Sequence, residues 1–263
     1  MVSRFAGRHV LVSGGTSGIN LGVARMFARE GAKVFTFSRS AEKVEAAVEE
    51  LRALGAEAEG AVADVRDAAA VAAAVGRAAE VFGPVDVLIS GAAGNFVARA
   101  QDISSNGFRA VMEIDVLGTH HVMHAAYPHL RRPGAVVVNV SAAQAQVAMV
   151  GQAHVCAAKA GVDMLTRTLA LEWGPEGIRV NSVLPGPIGD TEGMKRLAPD
   201  EASLAAKIAS VPLRRMGRVE DVAQLCGFLC SEAASYITGA VIPVDGGAVL
   251  NPMPTRMEAF IDG

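Results

Sequence analysis

Residues 9–31, HVLVSGGTSGINLGVARMFAREG, run a strand-like apolar segment into a glycine-rich turn and out into a helix. Few folds use that succession. Glycines let the backbone bend tightly and come close to a ligand, and the helix that follows turns its unpaired N–H groups and the positive end of its dipole toward any anion above the turn. Alone, such a turn is weak evidence. Here it opens a chain in which β-branched runs and alanine-rich amphipathic runs alternate to the end. Strands are read at 9–14, 33–39, 58–65, 85–92, 135–142, 178–186 and 240–247, and helices at 22–31, 41–55, 67–82, 104–130, 152–173 and 219–231. The strand segments are apolar in continuous runs, as strands covered on both faces of a parallel sheet must be. The expected fold is therefore α/β: a single-domain, doubly wound parallel sheet (Rossmann fold) with helices on both faces, spanning 1–263.

Composition narrows the function. A chain of 263 residues, 51% of them hydrophobic, can bury one substantial core. A net charge of −3 with no basic tract argues against nucleic acid as a partner. No apolar stretch reaches the length of a membrane span. The first residues run into a strand without the apolar core of a signal peptide. Cys156, Cys226 and Cys230 are too few for a disulfide framework and suggest a reducing compartment, so the expected location is cytoplasmic. His120 and His124 stand one helical turn apart, but no cysteine or carboxylate cluster accompanies them, and no metal is expected.

The spacing Gly14-x-x-x-Gly18 resembles that of the short-chain dehydrogenase/reductase family, and the resemblance continues through ADV (63–65), SGAAG (90–94), LPGPI (184–188) and VDGG (244–247). It implies a nicotinamide dinucleotide held at the turn by Gly14, Thr16, Ser17, Gly18 and Ile19, at the adenine by Asp64 and Val65, and alongside by Gly91, Ala92 and Ala93. Toward the nicotinamide and the pyrophosphate it implies Lys159, Pro185, Gly186, Ile188 and Thr191. Two positions depart from the pattern: Asn20 replaces the usual third glycine, and Ser90 replaces an asparagine. The end of the second strand reads FTFSRSAEK, with no carboxylate before Glu42. Enzymes that use NAD place an acid there, which would repel a 2′-phosphate. Arg39, flanked by Ser38 and Ser40, suits that phosphate, so the expected cofactor is NADPH/NADP+.

Ordinary members of the family reduce ketones with an Asn, Ser, Tyr, Lys set. Carried over residue by residue, the lysine is Lys159, the tyrosine position is Val155, the serine position is Ala142 and the asparagine position is Asp115. Three of the four have changed, and the only tyrosines, Tyr127 and Tyr236, lack a lysine four residues on. AAGNF (92–96), VMEIDVLGT (111–119) and the run from His154 to Leu197 are similar to 2,4-dienoyl-CoA reductases, the peroxisomal type most of all; a tyrosine that the mitochondrial type keeps on the preceding loop falls on Gln144. The resemblance implies reduction of a 2,4-dienoyl-CoA thioester to the 3-enoyl thioester. Asp115 and Lys159 would be catalytic and hold a water between them. Asn95 is a candidate to bond the thioester, and Phe96, Met149 and Met194 are candidates to line an acyl pocket, with simple core packing as the alternative for each. The resemblance also implies a substrate lid at about 190–212 and a homotetramer; Lys195, Arg196 and Lys207 in that lid are candidates to meet CoA phosphates, with a solvated helix face as the alternative. His154 reads as a helix residue at the edge of the site, with a proton relay as the alternative. Two alternatives stay open: another short-chain oxidoreductase, such as a 3-oxoacyl thioester reductase with an unusual acid, and a non-catalytic NADP-binding protein.

Overall fold

The computed structural model describes residues 3–189, 191, 194, 198 and 200–250. Seven strands, β1 (His9–Ser13), β2 (Lys33–Ser38), β3 (Ala58–Val62), β4 (Val87–Ser90), β5 (Val136–Val140), β6 (Arg179–Pro185) and β7 (Val241–Val244), form one sheet in the order β3-β2-β1-β4-β5-β6-β7. Every pairing is parallel, with Val10 opposite Val34 on one side of β1 and Val87 on the other. The strand order reverses between β1 and β4. Loops leaving the carboxyl ends of these two strands diverge to opposite faces and open a crevice, the place where doubly wound folds bind ligands.

Side-chain alternation sorts the core into two layers. From β1, Val10 and Val12 face a cluster that includes Phe27 of α1 (Gly18–Arg29), Val44 and Leu51 of α2 (Ala41–Ala53) and Leu229 of the last helix. Leu11 faces the opposite cluster, with Val75 of α3 (Ala68–Phe82), Val122 of the fifth helix and Trp173 of the sixth. Both faces are thus dry, which explains why the strands lack polar alternation.

Three departures from the sequence reading bear on function. Helix α1 begins at Gly18 rather than at residue 22, so the glycine turn hands directly to the helix amino terminus. The single helix expected at 104–130 is instead α4 (Ser105–Met112), one π turn (Glu113–Leu117), α5 (Gly118–Ala126) and a closing 3-10 turn at Tyr127–His129. The segment read as a lid contains a helix, α7 (Glu201–Ser210), capped by a reciprocal bond pair between Asp200 and Ser203. Helices α6 (Ala153–Trp173) and α8 (Val219–Leu229) complete the described elements. Lys195 and Arg196 lie outside the described residues, and Lys207 sits half-exposed on α7.

Candidate active site

The crevice contains a cavity of about 330 Å³ lined by the glycine turn, the end of β2 and the loops after β3 and β4. Of the residues expected to hold a dinucleotide, Gly14, Thr16, Ser17, Ser38, Arg39, Ser40, Asp64, Val65, Gly91, Ala92 and Ala93 line it. Gly14 has φ +70°, and a Cβ there would press on the Ala92 backbone at 3.1 Å, so only glycine suits the turn. Gly18 and Ile19 open α1 beneath the cavity. Pro185, Gly186 and Ile188 lie at the carboxyl end of β6, outside the lining, and the Thr191 hydroxyl donates to the Ile188 carbonyl at 2.9 Å.

At the end of β2 the hydroxyls remain usable. Ser38 Oγ accepts from Thr16 at 3.0 Å, and Ser40 Oγ accepts from the Lys43 N–H at 3.3 Å as the cap of α2; each keeps its own proton to donate. Lys43 also lines the cavity, a second cation that the sequence reading missed although it stands one helical turn after Arg39. The carboxylate that lines the cavity, Asp64, is held by Arg66 at 2.6 Å. That guanidinium keeps the Asp64 carboxyl below its ordinary range, with Arg39 adding a smaller pull in the same direction. This end of the cavity therefore presents Arg39 and Lys43, for which no ion pair is formed among the described residues, and a neutralised acid, a charge pattern that suits a phosphate.

Asn20 fills the place of the third glycine and makes its own anchor. Its Nδ2 donates to the Gly91 carbonyl at 2.7 Å. A Cβ on Gly91 would lie 2.5 Å from that same nitrogen, so the asparagine requires a glycine opposite it. Gly91→Ala is expected to destabilise the fold by about 1–3 kcal/mol through overpacking. Placed in an Asn20→Gly background, the same change should cost little. Thermal unfolding of the four variants checks this; equal losses in both backgrounds would show the two residues to be uncoupled.

Deeper in the crevice, Lys159 Nζ lies 3.2 Å from Asp115 Oδ2, with side chains 6% and 0% exposed. Asp115 comes from the π turn. Within that turn Asp115 is buried, and its carbonyl accepts from Thr119 Oγ1 at 2.6 Å. Asp115 Oδ1 accepts from the Gly94 N–H at 2.7 Å. Lys159 Nζ donates one hydrogen bond, to the Val140 carbonyl at 3.4 Å, while Asp115 Oδ2 makes an ion-pair contact without hydrogen-bond geometry, so at least one of the three ammonium protons is uncommitted. The sequence reading placed a water between the two groups. At 3.2 Å they are in direct contact, so a water can stand only beside the pair, on that remaining proton.

Val155 is buried among Val111, Ala158, Met112 and Val116. Ala142 offers no hydroxyl, and Ser141 is turned into α6, its Oγ 3.5 Å from the Lys159 carbonyl. Neither tyrosine reaches the site: Tyr127 bonds Glu176, and Tyr236 stands exposed just before β7, at the opposite end of the sheet. Among the described residues the buried charged pair and the buried His154 imidazole are the groups here that can carry a proton.

The proposed substrate residues separate. Asn95 and Phe96 follow Gly94 on the loop after β4, beside the pair. The Phe96 ring lies over the buried His154 ring with centroids 4.1 Å apart. Burial pushes the His154 imidazole below its ordinary value, against the opposing influence of the Phe96 backbone and Asp115. Met149 is half-buried on the loop before α6. Met194 is buried, and its N–H bonds the Thr191 hydroxyl at 3.3 Å. Sequence reasoning did not find Gln152, 4% exposed, which links this loop to Gln144.

Known proteins resemble this chain over most of its length. The family model described as "Enoyl-(Acyl carrier protein) reductase" matches residues 14–249. A Pongo abelii protein named "Peroxisomal 2,4-dienoyl-CoA reductase [(3E)-enoyl-CoA-producing]" is 44% identical, over 95% of this chain and 86% of its own length. A Bacillus subtilis (strain 168) protein named "Probable 2,4-dienoyl-CoA reductase [(2E)-enoyl-CoA-producing]" is 41% identical, over 93% of this chain and 98% of its own. Among solved structures, the Pseudomonas aeruginosa RhlG/NADP active-site complex superposes with a TM-score of 0.88 at 30% identity, covering 95% of this chain and 99% of that one.

Proposed function

This chain belongs to the short-chain dehydrogenase/reductase family, and from that premise we propose that it reduces 2,4-dienoyl-CoA thioesters with NADPH, yielding 3-enoyl thioesters. The observation that carries the reading is the Lys159–Asp115 pair at 3.2 Å in a site without a tyrosine. Ketone reduction puts negative charge on the oxygen of the attacked carbon, where an acid must stand. A dienoyl thioester accepts hydride at the far end of its conjugated system, the charge travels to the thioester oxygen, and the proton goes to carbon. An acid at the attacked carbon has no use in that reaction.

The cavity fits a nicotinamide dinucleotide. The glycine turn would hold its pyrophosphate, Asp64 and Val65 its adenine, and Arg39, Lys43 and the two serine hydroxyls its 2′-phosphate. Bound there, the reduced nicotinamide supplies the hydride. Lys159 does the rest of the electrostatic work: its ammonium faces the developing enolate, and its uncommitted proton holds the water that protonates carbon. Asp115 keeps the ammonium in place and is itself fixed by the Gly94 N–H. Pro185, Gly186, Ile188 and Thr191 remain assigned to the nicotinamide end, and Asn95, Phe96, Met149 and Met194 to the substrate. The name of the Bacillus subtilis relative carries a (2E)-enoyl product and that of the Pongo abelii relative a (3E)-enoyl product; the second is assigned to this chain.

Replacing Arg39 by alanine is expected to weaken NADPH binding by about 1.5–3 kcal/mol, toward the lower end because Lys43 shares the phosphate, and to leave NADH binding nearly unchanged. Fluorescence titration with both cofactors checks this, and an equal loss for the two would remove Arg39 as the phosphate reader. The function itself is tested by supplying NADPH with a 2,4-dienoyl-CoA, and separately with a 3-oxoacyl-CoA. Loss of the dienoyl and NADPH absorbances together, with the 3-oxoacyl thioester untouched, is expected; the reverse preference would contradict the reading.

Self-association into a tetramer is proposed on the apolar outer faces of the helices at 105–126 and 153–173, where Leu117, Met164 and Leu171 are 47%, 58% and 81% exposed. Sedimentation as four 27.1 kDa chains is the expected result, and a single-chain species would contradict it. No described helix is long and apolar enough to cross a membrane. All three cysteines are free, which supports the proposed cytoplasmic location; fractionation of the native cells tests it.

A further inference from the structure

We propose that His121 is a positioning residue for the cofactor: acting through one backbone peptide, its imidazole aims the Asp64 carboxylate at the amino group of the adenine and so makes the site selective for that base. The proposal rests on the cofactor reading above, and it gives a role to a histidine-rich helix that the reaction leaves unused.

Helix α5 carries His120, His121 and His124. His120 and His124 are exposed and stack on one another, with ring centroids 5.7 Å apart. His121 is half-buried and reaches out of its helix to the loop after β3, where its Nδ1 lies 2.8 Å from the Val65 carbonyl. A carbonyl only accepts, so this nitrogen carries the proton. Gly118 seats the helix closely enough for that bond, since a Cβ there would stand 2.8 Å from Val65 Cγ2. The Val65 carbonyl and the Arg66 N–H are the two ends of one planar peptide. The second end donates to Asp64 Oδ1 at 3.0 Å. His121 thus holds one end of a rigid unit whose other end holds the carboxylate, and a bond at one end polarises the unit and strengthens the bond at the other.

Arg66 also grips Asp64 with its guanidinium, Nη2 to Oδ2 at 2.6 Å, but that side chain is 44% exposed and its grip is loosened by solvent and by its own rotamers. The guanidinium supplies charge, and the backbone arm supplies direction. Direction decides which base is accepted. The Asp64 side chain lines the cavity, 27% exposed. Kept ionised by Arg66, it can only accept hydrogen bonds. Adenine offers it an exocyclic amino group. Hypoxanthine has an oxygen at the same place, which an aimed carboxylate repels. A carboxylate free to turn aside would tolerate both bases and bind neither well.

Base choice gives the test. The probes are NADPH and deamino-NADPH, in which hypoxanthine replaces adenine, each titrated by nicotinamide fluorescence. The wild type is expected to bind NADPH about 10- to 100-fold more tightly than deamino-NADPH, the scale of one hydrogen bond to a charged group. In His121→Leu that preference should fall by roughly 3- to 10-fold, mainly through weaker NADPH binding. His121→Asn puts an amide nitrogen where the histidine carries Nδ1 and should restore the preference. Leucine has the same branched outline without the donor, so a packing role predicts that Asn and Leu behave alike. His121→Phe keeps the ring without the donor; it should match Leu, and it carries the test if the Leu variant fails to fold. Asp64→Ala should lose the preference, and adding His121→Leu to it should change nothing further. An Asn variant as poor as Leu, equal losses for the two dinucleotides, or a further fall in the double variant overturns the proposal. The wild type is read first: absence of NADPH binding would overturn the cofactor reading and this proposal together, whereas a wild-type preference kept by every His121 variant would overturn the proposal alone.

Discussion

Replacing Lys159 by alanine is expected to cut dienoyl-CoA turnover by roughly 10²–10⁴-fold, the range for losing a positioned proton donor. Asp115→Ala should fall in the same range, and the double variant should be little worse than either single one, because residues that act as a unit cannot be lost twice. The structure adds a stability side to this experiment. Both groups are buried, and a buried ammonium left without its carboxylate is costly, by about 3–5 kcal/mol when one partner of such a pair is removed. Asp115→Ala should therefore lower the melting temperature as well as kcat. Asp115→Asn separates the two effects. It keeps the acceptor for the Gly94 N–H while removing the charge that holds Lys159. The account expects Asp115→Asn to bind NADPH and to turn over poorly. Stopped-time assays beside thermal unfolding measure both, and an Asp115→Asn variant with normal turnover would show that the pair does not handle the proton.

Restoring the tyrosine is expected to harm this enzyme. Val155 is 3% exposed and packed against Val111, Met112 and Val116 from the helix that carries Asp115. A tyrosine there must push that packing apart, at about 1–3 kcal/mol for an overfilled site. Its hydroxyl would also enter the space where the thioester must lie. Val155→Tyr should lower dienoyl turnover by on the order of tenfold or more, as expected when crowding misplaces a bound substrate. Together with Ala142→Ser it is expected to introduce weak ketone reduction. A Val155→Tyr variant that reduced dienoyl-CoA faster than wild type would contradict the idea that the site is remodelled for proton delivery to carbon.

Much of the fold was legible because a strand covered on both faces must be apolar throughout. Runs such as Val136–Val140 cannot sit anywhere else. The glycine turn and the end of β2 were equally readable, since pyrophosphate and phosphate binding demand residue types at short spacings. The π turn was not. One extra residue in a helix shifts the phase of its apolar stripe by about 100°, yet nothing in EIDVL announces where it falls, and Asp115 lies within it. Helix α7 was not among the expected helices, and a solvated helix face was read there only as an alternative; its short apolar set, Leu204, Ala205 and Ile208, is not buried against the core, and its Asp200–Ser203 cap was the clearer signal. Lys159 and Asp115 could be matched by position, but their direct contact could not, because it depends on that π turn. The amide chain from Gln144 to Asn95 joins residues far apart in sequence, where no local spacing rule applies.

The central claim is that a buried Lys159–Asp115 pair, without a tyrosine, directs a proton to carbon after hydride has entered a conjugated thioester. Running the reaction in D₂O with NADPH and a 2,4-dienoyl-CoA, and locating the deuterium in the product by NMR, tests it most directly. The account predicts a 3-enoyl thioester with one deuterium on the carbon next to the carbonyl and none at the δ carbon. A 2-enoyl thioester with deuterium on the γ carbon, or no reduction of the dienoyl chain at all, would contradict it.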